Sequence, residues 1–276
     1  MPTQAEKAAK FQALHQRREP FIVANPWDAG TARILAGLGF EAMSTTSAGL
    51  AFTLGRRDGT ASVSRAEALA NARSIVDATT LPVAADLENG YGHSPEEAAQ
   101  TIWLAAEEGG LVGGSIEDAS GDPAHPIYEF NHAVERVAAA AATAHSLPFP
   151  FMFVARAENY LHGRPDLDDT IRRLQAFEGA GAEVLYAPGI TNPDDIRTVC
   201  ASVSKPVNVL MGFKGAPMLS LQELGALGVR RVSLGSGFAR AALTAFLHAA
   251  REVREQGTFT FTEDTLYISE IVALFE

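Results

Sequence analysis

Cysteine occurs once in these 276 residues, at Cys200, which excludes a disulfide framework within the chain and points to a reducing compartment, with the cytoplasm the expected location. Lysine is nearly as scarce: Lys7, Lys10, Lys205 and Lys214 are the only four, and none falls inside a predicted strand, which disfavours a Schiff-base mechanism. Acidic residues outnumber basic ones, giving a formal net charge of −11. Such a surface repels nucleic acid and anionic membranes, so neither is an expected partner. No apolar run approaches the roughly 20 residues of a membrane span. Residues 2–18 are polar and mixed in charge, unlike a signal peptide. A G-x-G-x-x-G turn is also missing. The first predicted strand is followed by Asn25-Pro26-Trp27-Asp28, which argues against a dinucleotide site.

What the chain does have is a repeat. Eight short apolar runs, at 21–24, 42–45, 82–86, 112–117, 151–156, 183–187, 206–211 and 231–235, alternate with Ala/Leu-rich helical stretches. Ser64 with Glu67, Ser94 with Glu97, and Ser220 with Glu223 have the spacing of capping boxes, and Pro95 and Pro193 stand where a helix's first turn needs no N–H. Strands alternating with helices predict a parallel sheet covered by helices, and eight units predict a single (β/α)₈ barrel over residues 1–276. Residues 4–18 read as a helix ahead of the first strand. The eighth helix is expected at about 237–256, with an extension at 257–276 whose last amphipathic helix (263–275) carries Leu266, Ile268, Ile271, Val272, Leu274 and Phe275. So apolar a segment either covers its own barrel or docks on a second subunit.

In a parallel barrel the active site forms at the carboxyl ends of the strands. The residues found there are Asn25, Trp27 and Asp28; Thr45, Thr46 and Ser47; Asp86 and Glu88; Glu117 and Asp118; Arg156 and Glu158; Asn208; and Ser236. Asp86, Glu88 and Glu117 cannot gather as bare anions unless one is protonated or a divalent cation neutralises them. Their hard oxygens favour Mg²⁺, or Mn²⁺, over zinc, and His93, His125, His132 and His162 lack zinc-site spacing. Arg156 ends an apolar strand, where a charge is paired with a neighbour such as Glu158 or aimed at an anionic ligand. The loop Thr45-Thr46-Ser47 offers consecutive amides to a carboxylate, and Gly235-Ser236-Gly237 resembles a phosphate-holding turn.

On these residues the chain resembles the isocitrate lyase/phosphoenolpyruvate mutase superfamily. The likeness spans about 21–211. It is carried by Thr45-Thr46-Ser47-Ala48-Gly49-Leu50, Leu54-Gly55-Arg56-Arg57-Asp58-Gly59, Ala85-Asp86-Leu87-Glu88-Asn89-Gly90-Tyr91-Gly92, Ser115-Ile116-Glu117-Asp118, Val154-Ala155-Arg156-Ala157-Glu158 and Lys205-Pro206-Val207-Asn208. The resemblance implies a barrel whose last helix swaps onto a partner in a homotetrameric dimer of dimers. It implies Mg²⁺ bound by Asp86, directly or through water, with Asp58, Glu88 and Glu117 around it. Arg156, Asp58 and Glu117 become the expected catalytic residues. The substrate-binding set becomes Trp27, Thr46, Ser47, Ala48, Asp86, Arg156, Glu158 and Asn208, with Leu210 also shaping the pocket.

Two departures from the family pattern shape the functional expectation. Glu88 stands where an Asp is commonest, and the stretch Ala119-Ser120-Gly121-Asp122-Pro123-Ala124-His125-Pro126 replaces the lyases' Lys-Lys/Arg-Cys-Gly-His loop, so its acid/base Cys is absent. The Lys and Asn of the mutases' gating loop are absent as well. His125 and Glu158 are left as candidates for proton transfer. The expectation is a Mg²⁺-dependent lyase or decarboxylase acting on a small 2-oxo acid or related carboxylate through an enolate. The alternatives are a phosphonate-related mutase or hydrolase, or a protein that binds a 2-oxo acid without turning it over.

Overall fold

Helix α1 (Gln4–His15) begins at a Thr3–Glu6 capping box and lies across the amino-terminal mouth of a barrel. The strands β1 (Phe21–Ala24), β2 (Ala42–Ser44), β3 (Val83–Asp86), β4 (Gly113–Glu117), β5 (Met152–Arg156), β6 (Val184–Tyr186), β7 (Val207–Leu210) and β8 (Arg231–Ser233) pair in parallel in chain order, and β1 pairs β8 to close the ring. A computed structural model describes residues 1–275; Glu276, the last residue of the predicted extension, lies outside the described residues. The expected (β/α)₈ barrel is therefore present.

Outside the strands run α2 (Ala29–Gly37), α3 (Ser47–Thr53), α4 (Arg65–Ala78), α5 (Pro95–Glu107), α6 (Phe130–Ser146), α7 (Leu167–Gly179), α8 (Pro193–Ser202), α9 (Leu221–Ala226) and α10 (Gly237–Gln256). All three predicted capping boxes form, at α4, α5 and α9, and Pro95 and Pro193 open α5 and α8. Besides these and the Thr3–Glu6 box of α1, a box of Asp28 with Thr31 starts α2. The stretch expected as a Thr-Thr-Ser loop is instead the start of a helix: Thr46 caps α3 by accepting from the Gly49 amide. Gly49 is required there, because a Cβ on it would stand 2.6 Å from Thr46 and 2.9 Å from Trp27.

Two apolar layers hold the barrel together. Between strands and helices, Ile75, Ile102, Val137, Leu174, Phe177 and Val199 are among the buried side chains. Inside the amino-terminal mouth, Phe11 and Leu14 of α1 pack against Phe21, Val23, Met152 and Val184. Gly113 makes room for this plug, since a Cβ there would lie 3.0 Å from the Phe11 ring and 2.8 Å from the Met152 carbonyl oxygen. Each fully buried Phe or Leu contributes about 1.5–3 kcal/mol.

The C-terminal segment differs from its prediction. In place of one helix over 263–275 there is a 3₁₀ turn (Thr260–Asp264) and a short α11 (Ile268–Ala273). Gly257, at φ +66°, ends α10, and the chain turns back. The Arg33 guanidinium donates to the Phe275 carbonyl, 3.1 Å away, tying the segment's end to α2 of the same chain. Phe246, Leu247, Ile268, Ile271 and Val272 remain exposed. Among the described residues no helix is long and apolar enough to cross a membrane.

The carboxyl-terminal end of the ring is fastened by Asn25. Its amide nitrogen donates to the Ser44 and Thr45 carbonyls (3.0 and 3.3 Å), and its oxygen accepts from the Leu234 and Gly235 amides (2.9 and 3.0 Å). One buried side chain thus links the ends of β1, β2 and β8. Buried bonds of this kind contribute about 1 kcal/mol each, more where a partner is left stranded. Asn25→Ala is expected to cost about 3 kcal/mol in a urea titration, and a cost under about 1 kcal/mol would show that the ring closes without it.

Candidate active site

Parallel register places the decisive residues side by side. Glu117 of β4 pairs with Arg156 of β5, Arg156 with Tyr186 of β6, and Tyr186 with Asn208 of β7. Asp86 ends β3 in register with Ser115 of β4. A single guanidinium joins most of them. Arg156 Nη1 lies 2.8 Å from Asp86 Oδ1 and 3.2 Å from Glu117 Oε2, while Nε and Nη2 lie 2.9 and 2.8 Å from Glu158 Oε1. The sequence left open whether Arg156 was paired structurally or aimed at a ligand. It is paired, at the centre of the strand-end cluster.

The surrounding contacts fix each carboxylate. Asp86 accepts from the Ser47 hydroxyl at 3.0 Å, and its amide donates to Thr45 Oγ1 at 3.1 Å. Asp58 lies on the exposed side of the group, its carboxyl raised by partial burial and by Asp86. Glu88 sits in the left-handed region at φ +48°, with its amide directed at Asp86 Oδ1 (3.3 Å) and its carbonyl accepting from the Glu117 amide (2.9 Å). Tyr91, also left-handed at φ +55°, closes the same turn. Two non-glycine residues in this region within four positions represent local strain of the kind held at functional sites.

Charge is strongly unbalanced here. Among the described residues, Asp58, Asp86, Glu88, Glu117 and Glu158 face Arg156 as the one Arg or Lys close to them. Burial, then Glu158, Asp86 and Glu88, push the Glu117 carboxyl far above its ordinary range despite the nearby guanidinium. Burial likewise raises Glu158, against the pull of Arg156. Glu88 is pushed up to about 7 by burial, then by Asp86 and Asp58. Burial opposes the charge of Arg156, but Glu158, Glu117 and Asp86 more than offset it and keep the guanidinium protonated. Among the described residues no three His, Cys, Asp or Glu side chains stand close enough together to ligate an ion directly.

The remaining predicted residues are distributed as follows. Trp27 is half-buried beside Gly49, with its carbonyl bonded to Asn71. Thr46, Ser47 and Ala48 form the first turn of α3, where backbone amides have no partner within the helix. Asn208 is buried and donates to Ser233 Oγ at 2.9 Å, and its own Oδ1 has no partner among the described residues. Asp118 does not face outward: it is 3% exposed, pairs with Arg173 at 3.1 Å and accepts from the Glu158 amide at 2.8 Å. The Gly235 turn is not a phosphate cradle, because the Leu234 and Gly235 amides are spent on Asn25. His125 lies on the exposed tip of a hairpin closed by an Ala119–Ile127 bridge, paired with Asp122 at 3.2 Å, so Glu158 alone of the two proton-transfer candidates is at the site.

Sequence reasoning missed Tyr186. Its ring centroid lies 5.0 Å from the Arg156 guanidinium. The signal was present, since Tyr186 ends the sixth apolar run, but a tyrosine at a strand end also reads as ordinary core. Arg173, the partner of Asp118, lies on α7 and carries no local sign of that role.

The chain is similar to known proteins over most of its length. The family model described as phosphoenolpyruvate phosphomutase matches residues 11–254. An uncharacterized protein of Mycobacterium tuberculosis is 33% identical over 256 residues, covering 89% of each chain. The oxaloacetate decarboxylase of Chromohalobacter salexigens is 27% identical, covering 92% of this chain and 88% of its own. A crystal structure from Burkholderia cenocepacia, provisionally designated a lyase/mutase, superposes with a TM-score of 0.95 at 57% identity, covering 99% of this chain and 96% of that one.

Glu88 provides a test of the charge imbalance. Its raised pKa means that the folded site retains a proton which the unfolded chain loses near 4.5. Ionising it therefore costs stability increasingly as the pH climbs from there to about 7. In cation-free buffer, Glu88→Gln is expected to melt no higher than the wild type at pH 5 and clearly higher at pH 8. A difference that does not change with pH in scanning calorimetry would contradict the assignment.

Proposed function

The chain belongs to the isocitrate lyase/phosphoenolpyruvate mutase superfamily, and from that premise we propose that it is a Mg²⁺-dependent carbon–carbon lyase whose best-supported reaction is decarboxylation of a small oxaloacetate-like 2-oxo acid. The observation that carries this reading is the guanidinium of Arg156 set among more carboxylates than it can neutralise. An all-oxygen acidic group fits a hard cation, with Mn²⁺ the alternative to Mg²⁺. Asp86 would hold it, with Asp58, Glu88 and Glu117 acting through water, the hydrated mode that Mg²⁺ favours and that requires no inner set of three protein ligands. When bound, such a cation supplies positive charge beside a developing enolate oxygen.

The chain's own residues do the remaining work. Arg156, its planar fork already oriented, binds the oxo-acid oxygens. The first amides of α3, at Ser47 and Ala48 behind the Thr46 cap, receive the substrate carboxylate, and Trp27 and Asn208 wall the pocket. In decarboxylation the bond to the departing carboxylate breaks, its electron pair moves to the enolate, carbon dioxide leaves, and a proton returns to carbon. Only that last step needs a protein acid, and Glu117 and Glu158, raised by burial, are able to retain a proton there, as is Glu88, pushed up to about 7. Retro-aldol cleavage of an isocitrate-like substrate would also need a base for its hydroxyl, the role for which the lyases' Cys loop has no equivalent here. The description of the matching family model favours phosphorus–carbon chemistry as the second reading.

The exposed apolar side chains of α10 and α11 support a further part of the proposal. Residues 257–276 would dock on a second copy in a dimer of dimers, in preference to serving only as a cover for their own barrel.

Two experiments test these proposals. Proton and phosphorus NMR with Mg²⁺ and a panel of oxaloacetate, isocitrate, 2-methylisocitrate and phosphonopyruvate is expected to show turnover of oxaloacetate, reduced by about 10²–10³-fold in Asp86→Ala. Turnover of phosphonopyruvate instead would establish the second reading, and oxo-acid binding without turnover of any compound would make the protein a binder. In sedimentation, the full chain is expected to run as a tetramer and a chain ending at residue 257 as a smaller species. A full-length monomer would overturn the docking role.

A further inference from the structure

At the end of the barrel opposite the carboxylate cluster lies a cleft of about 520 Å³, between the end of α1 and the starts of β5, β7 and β8. Its volume is in the range of small-molecule sites. Arg17, Arg18, Lys205 and Arg230 all line it, whereas Glu183 is its single carboxylate, already engaged by Lys205 at 3.0 Å and by His145 at 3.0 Å. Arg17 is held by Glu41 at 2.8 Å, but Arg18 and Arg230 have no carboxylate partner among the described residues. In a chain of net charge −11 this is a concentration of positive charge, and a concave wall focuses its field.

A second observation points the same way. His15 lines the cleft and is 5% exposed. Its Nδ1 is committed to the Phe11 carbonyl at 2.8 Å, and its Nε2 is buried without a partner. Arg231, next in the chain to the lining residue Arg230, is 4% exposed with Nε and Nη1 unpartnered, and its guanidinium lies 5.7 Å from the Phe11 ring. Buried polar groups in folded proteins almost always find partners, so the unpartnered His15 nitrogen on the wall of a cationic cleft calls for a polar occupant.

We propose that this cleft binds a small polyanion, a compound bearing a phosphate or several carboxylates, as a ligand separate from the substrate at the other end of the barrel. Arg18 and Arg230 are its principal contacts, with Lys205 and Arg17 contributing charge at the rim. The proposal does not rest on the lyase reading, because none of these residues belongs to the reaction site.

The test is calorimetric titration of the chelator-treated, metal-free full chain with pyrophosphate at low salt. One saturable site per chain is expected, weakened about tenfold or more in the Arg18→Ala/Arg230→Ala double variant, restored largely by Arg230→Lys, and unchanged in Arg156→Met. Arg18→Glu, a change at an exposed position, gives the same direction of effect should the double variant fold poorly. Absence of saturable binding at millimolar pyrophosphate, wild-type affinity in the double variant, or loss of binding in Arg156→Met would each overturn the proposal.

Discussion

A guanidinium surrounded by more carboxylates than it can satisfy is the interaction on which the site's chemistry turns. Arg156 reaches Asp86, Glu117 and Glu158 within 3.2 Å, and each of these ends or follows a different part of β3, β4 or β5. Removing the cation from this group would leave like charges at short range in a partly dry environment, where repulsion is weakly screened. The raised carboxyls of Glu88, Glu117 and Glu158 show that even with Arg156 present the compensation is incomplete. A site in this condition would gain from a second cation, and the divalent ion proposed above would be drawn by the arrangement of acids rather than by a preformed cage.

The barrel supplies that arrangement through register. Because neighbouring strands are parallel and staggered consistently, residues ending successive strands meet at one rim, and Glu117, Arg156, Tyr186 and Asn208 form a continuous row. The row is braced from outside. Arg173 on α7 holds Asp118, and Asp118 accepts the Glu158 amide, so the backbone carrying one Arg156 partner is fixed by an ion pair in the helix layer. From the other side, Tyr186 offers its ring to the guanidinium. Asn25 fastens the rim where the ring closes.

What the sequence made legible was local or periodic. The eight apolar runs, the Ser-x-x-Glu boxes and the strand-end carboxylates each carry their meaning within a few residues, and the barrel follows from their repetition. The misreadings share a different cause. Thr46 became a helix cap because Gly49, three residues on, fits against Trp27, a contact set by tertiary packing. The Gly235 turn lost its anion-binding amides to Asn25, about two hundred residues earlier in the chain. Asp118 was ambiguous until Arg173 arrived from another helix. The C-terminal helix broke at 265–267 because its apolar residues are many but the caps and turns between them end each helical stretch early.

The loop after β4 ties these threads to reactivity. Residues 119–127 close on themselves through the Ala119–Ile127 bridge and a Ser120 amide bond to the Pro126 carbonyl at 2.9 Å, and their one histidine points to solvent. A loop so occupied presents no acid or base to the cluster, leaving proton handling to carboxyls already there. Burial keeps Glu117 and Glu158 largely protonated, so they stand ready to give a proton while little of the ionised form is present to take one. Chemistry that ends in protonation of an enolate carbon uses such groups well, whereas chemistry that begins by taking a proton from an alcohol uses them poorly. The electrostatics of the cluster and the geometry of the loop therefore favour the same class of reaction, each from an independent physical cause.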